Sequence, residues 1–336
     1  MDKKIRTIFG FVALNLVIAC GSSSGEGNDK SYLPSSSGKY GEVLIVVDTF
    51  YENHQSGKVL NTIFSEPMVG LPQDEGHFRA STVPTKGFKS ILKRSRNILK
   101  LSIGRGKKTA INIEEDIWAR DQLMIQITAA SDTDAARVLS KNIQTIRGYY
   151  NETELERLQK QFRGKPQKDI VDSIADNYNV EFVVPPGFVQ MAKNKNGFWL
   201  KKEKSIGQHQ IMQGVAVFVR PYYSDSVFSH ESMIAKRNEF TRELIQGTRD
   251  SSYMAVYQEY HAVTKEVNLN GVYALEYRGL WNMVNDFMGG PFLHYTLVDE
   301  KNNRVVELDA FVFAPKFNKR EYLRELEAIL KTVKFN

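Results

Sequence analysis

Val272-Tyr273-Ala274-Leu275-Glu276-Tyr277-Arg278-Gly279-Leu280, Phe292-Leu293-His294-Tyr295-Thr296-Leu297-Val298 and Val305-Val306-Glu307-Leu308-Asp309-Ala310-Phe311-Val312-Phe313 are three β-rich runs in close succession. A fourth, Tyr253 to Thr264, precedes them. Asp299-Glu300-Lys301-Asn302-Asn303 is a run of turn formers and predicts a hairpin between the last two. Ala314-Pro315-Lys316 then leads into a helix expected over Lys319 to Val333. Tyr322, Leu323, Leu326, Ile329 and Leu330 fall on one face of it at helical spacing. Strands in series closed by an amphipathic helix predict an α+β fold, an antiparallel sheet covered by helices.

Upstream, the same plan continues. Ser232 to Gln246 predicts a helix, and Phe198 to Lys201 and Gln213 to Arg220 predict strands. Phe182-Val183-Val184-Pro185-Pro186-Gly187-Phe188 predicts a strand and a Pro-Gly turn, and Gln167 to Tyr178 a helix. Gly164-Lys165-Pro166 marks a boundary, so residues 166–336 form one expected domain and 40–165 another.

The first of these opens on Glu42-Val43-Leu44-Ile45-Val46-Val47-Asp48, a continuous apolar run expected as a strand buried on both faces. Further strands are expected at Arg79–Val83, Ile98–Ile103 and Gln122–Thr128. A helix is expected over Ser131–Arg147, capped by Ser131 or Asp132 and stopped by Gly148. Another is expected over Asn151–Gln161. This domain too is expected to be an antiparallel sheet covered by helices.

The N-terminus carries an address. Lys3, Lys4 and Arg6 precede a mostly apolar run, Ile8 to Ala19. The run is shorter than the ~20 residues of a spanning helix, so residues 1–19 fit a secretory signal better. Val17-Ile18-Ala19-Cys20 then places a small residue before a thiol, as lipoprotein processing requires. Cys20 is the only cysteine in the chain. The run is similar to the lipobox of bacterial lipoproteins. That resemblance implies cleavage before Cys20 and a diacylglycerol on its sulfur. At ~0.8 kcal/mol per buried CH₂, two or three acyl chains anchor a protein firmly. The Ser- and Gly-rich residues 20–39 are then expected to be a tether.

These features bound the chemistry. With its one thiol acylated, the folded part would have neither a disulfide nor a cysteine nucleophile. The formal charge of +6 falls to about +4 once residues 1–19 are removed. That charge and an envelope address argue against nucleic acid. No cofactor motif is found.

Several motifs fail on inspection. Gly21-Ser22-Ser23-Ser24-Gly25 spells a nucleophile elbow but lacks the strand and helix that give one its shape. His230-Glu231-Ser232-Met233-Ile234 starts as a zincin helix, yet Ile234 stands where the second imidazole must be. Ser36–Lys39 and Ser90–Lys93 match S-x-x-K with no K-T-G or S-D-N following. Gly104-Arg105-Gly106-Lys107-Lys108-Thr109 lacks the Walker spacing. His54, His77, His209, His230, His261 and His294 make no tight ligand pair.

Two stretches are candidate binding sites. Between Arg79 and Ile113 there is no acid, and Lys86, Lys89, Lys93, Arg94, Arg96, Lys100, Arg105, Lys107 and Lys108 form a candidate anion-binding patch. Its targets would be anionic lipid head groups or an acidic partner. The competing reading is a solvated face balanced by Glu114, Glu115 and Asp116. The second stretch is a candidate binding loop with Trp281, Asn285, Asp286, Gly289 and Gly290. Packing is the competing reading for Trp281.

Two resemblances can be placed on these residues. Leu33 to Glu42, Leu71-Pro72-Gln73, Arg96-Asn97-Ile98 and Trp118-Ala119-Arg120-Asp121-Gln122 resemble a family of Bacteroidota-type lipoproteins carried as a domain of unknown function. That resemblance implies an envelope lipoprotein and no activity. From Val180 onward, the order of elements through Phe311-Val312-Phe313-Ala314-Pro315 and Lys331-Thr332-Val333-Lys334-Phe335 is similar to the Mog1/PsbP-like α/β/α sandwich, a fold that hosts binding and assembly factors more than enzymes. The expected function is therefore a non-catalytic binding or assembly factor for another envelope component, held by lipid on Cys20, on the outer membrane facing the periplasm. An envelope hydrolase is the alternative.

Overall fold

Glu42–Val46 (β1) has apolar residues buried on both sides, as its uninterrupted run predicts. The N-terminal half is assembled around it. The computed structural model describes residues 32–335; Cys20, the signal and the first part of the expected tether lie outside them. After β1 come helices Thr49–Glu52 (α1) and Gln55–Ser65 (α2), then strands Arg79–Val83 (β2), Asn97–Ile103 (β3), Ala110–Glu115 (β4) and Leu123–Ala129 (β5). The sheet order is β2-β1-β3-β5-β4.

Strand direction here corrects the expected antiparallel sheet. β1 runs parallel to β2 and to β3, and β3 runs parallel to β5; β4 runs antiparallel to β5. α1 and α2 cross back between β1 and β2, and a long linker does so between β2 and β3. Parallel neighbours need such crossovers. The mixed α+β class holds, with a mainly parallel first sheet.

Helix Asp132–Lys141 (α3) begins as expected, the Ser131 hydroxyl accepting from the Asp134 amide at 3.2 Å. It breaks at Asn142, whose side-chain amide donates to the Val138 carbonyl at 2.7 Å. Helix Ile143–Gly164 (α4) then runs straight through Gly148, which was expected to stop it. A glycine inside a helix costs about 1 kcal/mol; burying Ile146, Tyr150, Leu155 and Leu158 outweighs that. α2, α3 and α4 cover the sheet face carrying Val43, Ile45, Leu99, Ile125 and Ile127. Leu44, Val46, Ile98 and Met124 point the other way. There Phe88 and Leu92, from the β2–β3 linker, cover them.

The second half starts with helix Lys168–Tyr178 (α5), closed by Asn179 in the left-handed conformation (φ 52°). The strands are Val180–Glu181 (β6), Val189–Asn194 (β7), Gly197–Ile206 (β8) and His209–Pro221 (β9). Helix His230–Leu244 (α6) follows, capped by the Ser229 hydroxyl, which accepts from the Ser232 amide at 3.1 Å. Then come Tyr253–Val256 (β10), Val263–Leu269 (β11), Val272–Val284 (β12), Gly289–Asp299 (β13) and Arg304–Phe313 (β14), helix Arg320–Leu330 (α7), and Lys334–Phe335 (β15), which pairs with β6. The large sheet has the order β10-β12-β13-β14-β9-β8-β7, with β11 also on β12. Each of its pairings is antiparallel, as expected.

Two expected strands differ. Phe182 to Phe188 is not a strand, because Pro185 and Pro186 remove two backbone donors; Phe182, Val184 and Phe188 are nonetheless core residues. The run Tyr253 to Thr264 splits into β10 and β11, and β11 continues to a two-residue turn at Asn270-Gly271. Both have positive φ (55° and 92°), the backbone a tight hairpin demands. Gly214 lies under Phe311, whose ring fills the space a Cβ would need.

α6 packs on the sheet face bearing Ala216, Phe218, Tyr277, Phe292 and Phe311. α5 and α7 pack on the other, against Val215, Val217, Leu293, Leu297 and Leu308. The result is an α/β/α sandwich. The N-terminal half enters its core: Met68 and Leu71 pack there. The Glu75 carboxylate accepts from the backbone amides of Lys319 (2.7 Å) and Arg320 (3.0 Å). α7 has no capping side chain of its own, so a loop some 240 residues earlier in the chain supplies its cap.

Candidate functional site

The basic residues divide by location. Lys86, Lys89, Lys93 and Arg94 lie on the β2–β3 linker, which holds two 3₁₀ turns, Thr85–Gly87 and Ser90–Arg94. Lys100 lies on β3, on the face with Ile98. Arg105, Lys107 and Lys108 sit in the β3–β4 turn, and Lys107 reaches back to the Ser102 hydroxyl. Arg96 leaves the patch. Its guanidinium stacks 4.1 Å from the Tyr40 ring centroid, and its Nε is 3.2 Å from Glu154. Glu154 is buried and also receives Arg157 (2.6 Å) and Asn97 (2.7 Å). Arg96 therefore ties the start of the fold to α4.

The expected loop around Trp281 is corrected. Trp281 belongs to β12 and is 1% exposed. Its indole donates to the Val312 carbonyl at 3.3 Å, and its ring meets Phe311 edge-on at 5.6 Å. Gly289 and Gly290 are β13 residues, and a Cβ at Gly290 would strike the Val312 carbonyl. What remains is a short turn. Asn285 has φ 61°, Asp286 lies 3.6 Å from Arg249, and Phe287 is 90% exposed with Arg249 over its ring.

Sequence reasoning missed the densest polar cluster. His294 and Thr296 on β13 and Asp309 on β14 are all 0% exposed. His294 Nδ1 lies 3.1 Å from Asp309 Oδ2, and Nε2 lies 3.2 Å from Thr296 Oγ1. Arg237, from α6, clasps the same carboxylate with two bonds of 2.7 and 3.1 Å and lies 3.8 Å from the Phe292 ring centroid. Burial pushes the Asp309 carboxyl up, but Arg237 and His294 outweigh it and hold it below the usual range. Hydroxyl, imidazole and carboxylate stand in the order of a nucleophile, base and orienting acid. Phe240 and Phe292 lie against the group, so no reacting atom reaches it. The available signal was His294, Thr296 and Asp309 at inward positions of two strands whose buried residues are mainly apolar.

The opposite face of the sheet holds a second cluster. Arg278 bonds Glu276 at 2.8 Å and Glu327 at 2.9 Å, and the Tyr295 hydroxyl donates to Glu276 at 2.9 Å. Burial raises Tyr295, and Glu327 and Glu276 raise it further. This cluster lies where the N-terminal loop at Gly70 crosses β12.

Two clefts open on the surface. One of about 740 Å³ lies between α4, the Asn270-Gly271 turn and the end of the chain. One of about 470 Å³ is lined by His230, Glu231, His261 and Tyr277. His54 stacks on Phe50 at 4.4 Å and His209 meets Phe317 edge-on. Among the described residues no group of three or more His, Cys, Asp or Glu is placed to hold a metal ion.

A mainly parallel sheet joined to an antiparallel helix-sheet-helix sandwich defines a two-part α+β protein. Residues 36–163 match a domain of unknown function (DUF8532) and residues 167–332 match another domain of unknown function (DUF4837). The chain thus consists for most of its length of these two domains. No curated protein matches it. Solved structures are similar over a little under half of the chain. The Saccharomyces cerevisiae Ran-binding protein Mog1p is 12% identical, with a TM-score of 0.30, covering 47% of this chain and 90% of its own. A Mog1 mutant is 11% identical, with a TM-score of 0.27 and the same coverage. A Bacteroides thetaiotaomicron protein is 12% identical, with a TM-score of 0.20, over 47% of this chain and 45% of its own. Likeness this weak says nothing of function.

Proposed function

We propose that this chain is a lipoprotein of the cell envelope, anchored through Cys20 on the outer membrane and facing the periplasm, that acts as a non-catalytic binding or assembly factor for another envelope component. Val17-Ile18-Ala19-Cys20, with the only thiol of the chain at the processing position, carries the reading. The polar clusters give it further support. Arg237-Asp309-His294 and Glu276-Arg278-Glu327 are closed inside the sandwich, where they join α6 and α7 to the sheet.

The test has two parts. A clickable palmitate analogue fed to cells should label the wild type, and Cys20→Ala should be unlabelled and released from membranes. In-cell crosslinking should then give one abundant envelope protein that is lost in Cys20→Ala. Equal membrane retention of Cys20→Ala would remove the anchor. The hydrolase alternative requires the purified soluble body to turn over a hydrolytic substrate at a site other than the closed Thr296-His294-Asp309 group.

A further inference from the structure

The first described residues lie against the basic linker. The Ser37 amide donates to the Arg94 carbonyl at 2.8 Å, and the Arg96 amide donates to the Ser37 carbonyl at 2.9 Å. Arg94 also donates to the Ser35 carbonyl at 3.2 Å. On the other side, the Ser36 amide donates to the Arg120 carbonyl, and the Arg120 amide to the Pro34 carbonyl. The chain therefore enters the folded body between the basic 3₁₀ turn and Arg120. Cys20 is twelve residues before Tyr32. At ~3.4 Å per residue, that span reaches no more than about 40 Å.

The surface beside this entry is mainly basic. The linker between β2 and β3 crosses the sheet face opposite the helices and presents Lys86, Lys89 and Arg94 outward, with Lys93 half-buried over Trp118. Its charges continue through Lys100 on the same face. Acids flank it: Asp121 stands at the entry, bonded by Lys160 at 2.8 Å, Asp116 accepts from the Gln122 amide, and Glu114 lies on the edge strand β4. Glu42, at the entry, is engaged by Arg79 at 3.1 Å and by the Lys39 amide. Two large side chains stand out among the cations. Ile91 is 71% exposed and Tyr32, at the entry itself, is 81% exposed. Cations around an exposed aliphatic and an exposed tyrosine are what an anionic bilayer surface accepts: charge meets the head groups, and the apolar parts enter the interface.

We propose that this face, centred on Lys86, Lys89, Ile91 and Lys93, lies on the anionic surface of the membrane that holds the anchor. The sandwich packs against α4 and the start of β1 and takes no part in the cluster beneath the linker, so it stays free for its partner. The proposal builds on lipidation of Cys20, and its test separates the two.

The first arm uses the mature chain carrying Cys20→Ala, so no lipid contributes. It should sediment with vesicles containing phosphatidylglycerol and not with pure phosphatidylcholine. Each lysine near such a surface contributes roughly fivefold to partition, so Lys86→Gln, Lys89→Gln and Lys93→Gln together should lower binding on the order of a hundredfold. Raising salt from about 0.05 to 0.5 M should do the same. The second arm uses the lipidated protein in the same vesicles, with a nitroxide on the lipid head group. Trp118 lies beside Lys93, 5.5 Å from Nζ to its ring centroid, while Trp199 and Trp281 are buried. Trp118 emission should be quenched in anionic vesicles only, and Trp118→Phe should remove the quenched component. Salt-insensitive binding, equal binding by the triple variant, or lipidated protein with no quenching overturns the proposal and leaves the face to an acidic protein. Absence of label on Cys20 with the first arm intact overturns the anchor alone.

Discussion

Replacing Asp309 by asparagine should cost the sandwich about 3–5 kcal/mol. The carboxylate is fully buried and receives two bonds from Arg237 and one from His294. Asparagine keeps the shape and removes the charge. Arg237 is also fully buried, and its Nη1 has no partner even in the native structure. Its remaining neighbours are the Met254 sulfur and the Phe292 ring, which cannot replace an anion. Breaking a buried pair on one side leaves an uncompensated charge, with a penalty of about 3–5 kcal/mol. Arg237→Met should cost nearly as much. The double variant should lose far less than the sum, because neither charge remains to be solvated, and a coupling energy of about 3 kcal/mol is expected. At roughly 2–4 °C per kcal/mol for a unit of this size, each single variant should melt on the order of 10 °C lower. Trp281 is a built-in probe, since its ring lies on Phe311 in the same layer. Urea and thermal unfolding followed by its emission, on all four proteins, completes the cycle. Single costs below about 1 kcal/mol, or strict additivity, would refute the view that this pair joins α6 to the sheet. Because Asp309 titrates below its ordinary range, its contribution is fully present above pH 4 and is lost only as pH falls through the folded value.

Two further predictions concern the junction of the halves. Glu75→Ala removes both acceptors from the start of α7 and should cost about 2 kcal/mol, with faster amide exchange confined to Lys319 and Arg320 and the turn they begin; unchanged exchange there would refute the cap. His77 is lowered to about 4 by burial and by the charge of Arg147. An imidazole kept neutral in the folded state and free to protonate when unfolded leaves stability constant above about pH 6.5 and erodes it between 6.5 and 4. Discounted for partial exposure, the loss is about 2 kcal/mol. Stability measured against pH should fall over that window in the wild type and less in His77→Gln, and parallel curves would contradict the assignment.

The antiparallel sandwich was legible because its information is local. β12, β13 and β14 are long runs of β-formers, and Asp299 to Asn303 is turn chemistry between two of them. The terminal helix shows five apolar residues at helical spacing, of which Leu323, Leu326, Ile329 and Leu330 are buried. The Asn270-Gly271 hairpin was not expected, although its dipeptide is a strong local turn signal. Strand direction in the first sheet was not legible. Glu42–Val46 has the same residues whether its neighbours run with it or against it, and the crossovers decide. The break at Asn142, rather than Gly148, follows from burial, which offset a poor helix former.

The sites divide in the same way. Composition and order alone determined the small residue before the thiol at Ala19-Cys20, the acid-free stretch from Arg79 to Ile113, and the absence of any other thiol. Only the tertiary structure decided that Arg96 belongs to the Glu154 cluster, that Trp281 is core, and that Lys86, Lys89 and Lys93 lie on one face beside the entry of the chain. Only it brought Glu75 to α7 and Arg237 to Asp309, 72 residues away. Charge and patterning are properties of neighbouring residues, whereas pairing between distant polar groups depends on which surfaces the hydrophobic core brings together.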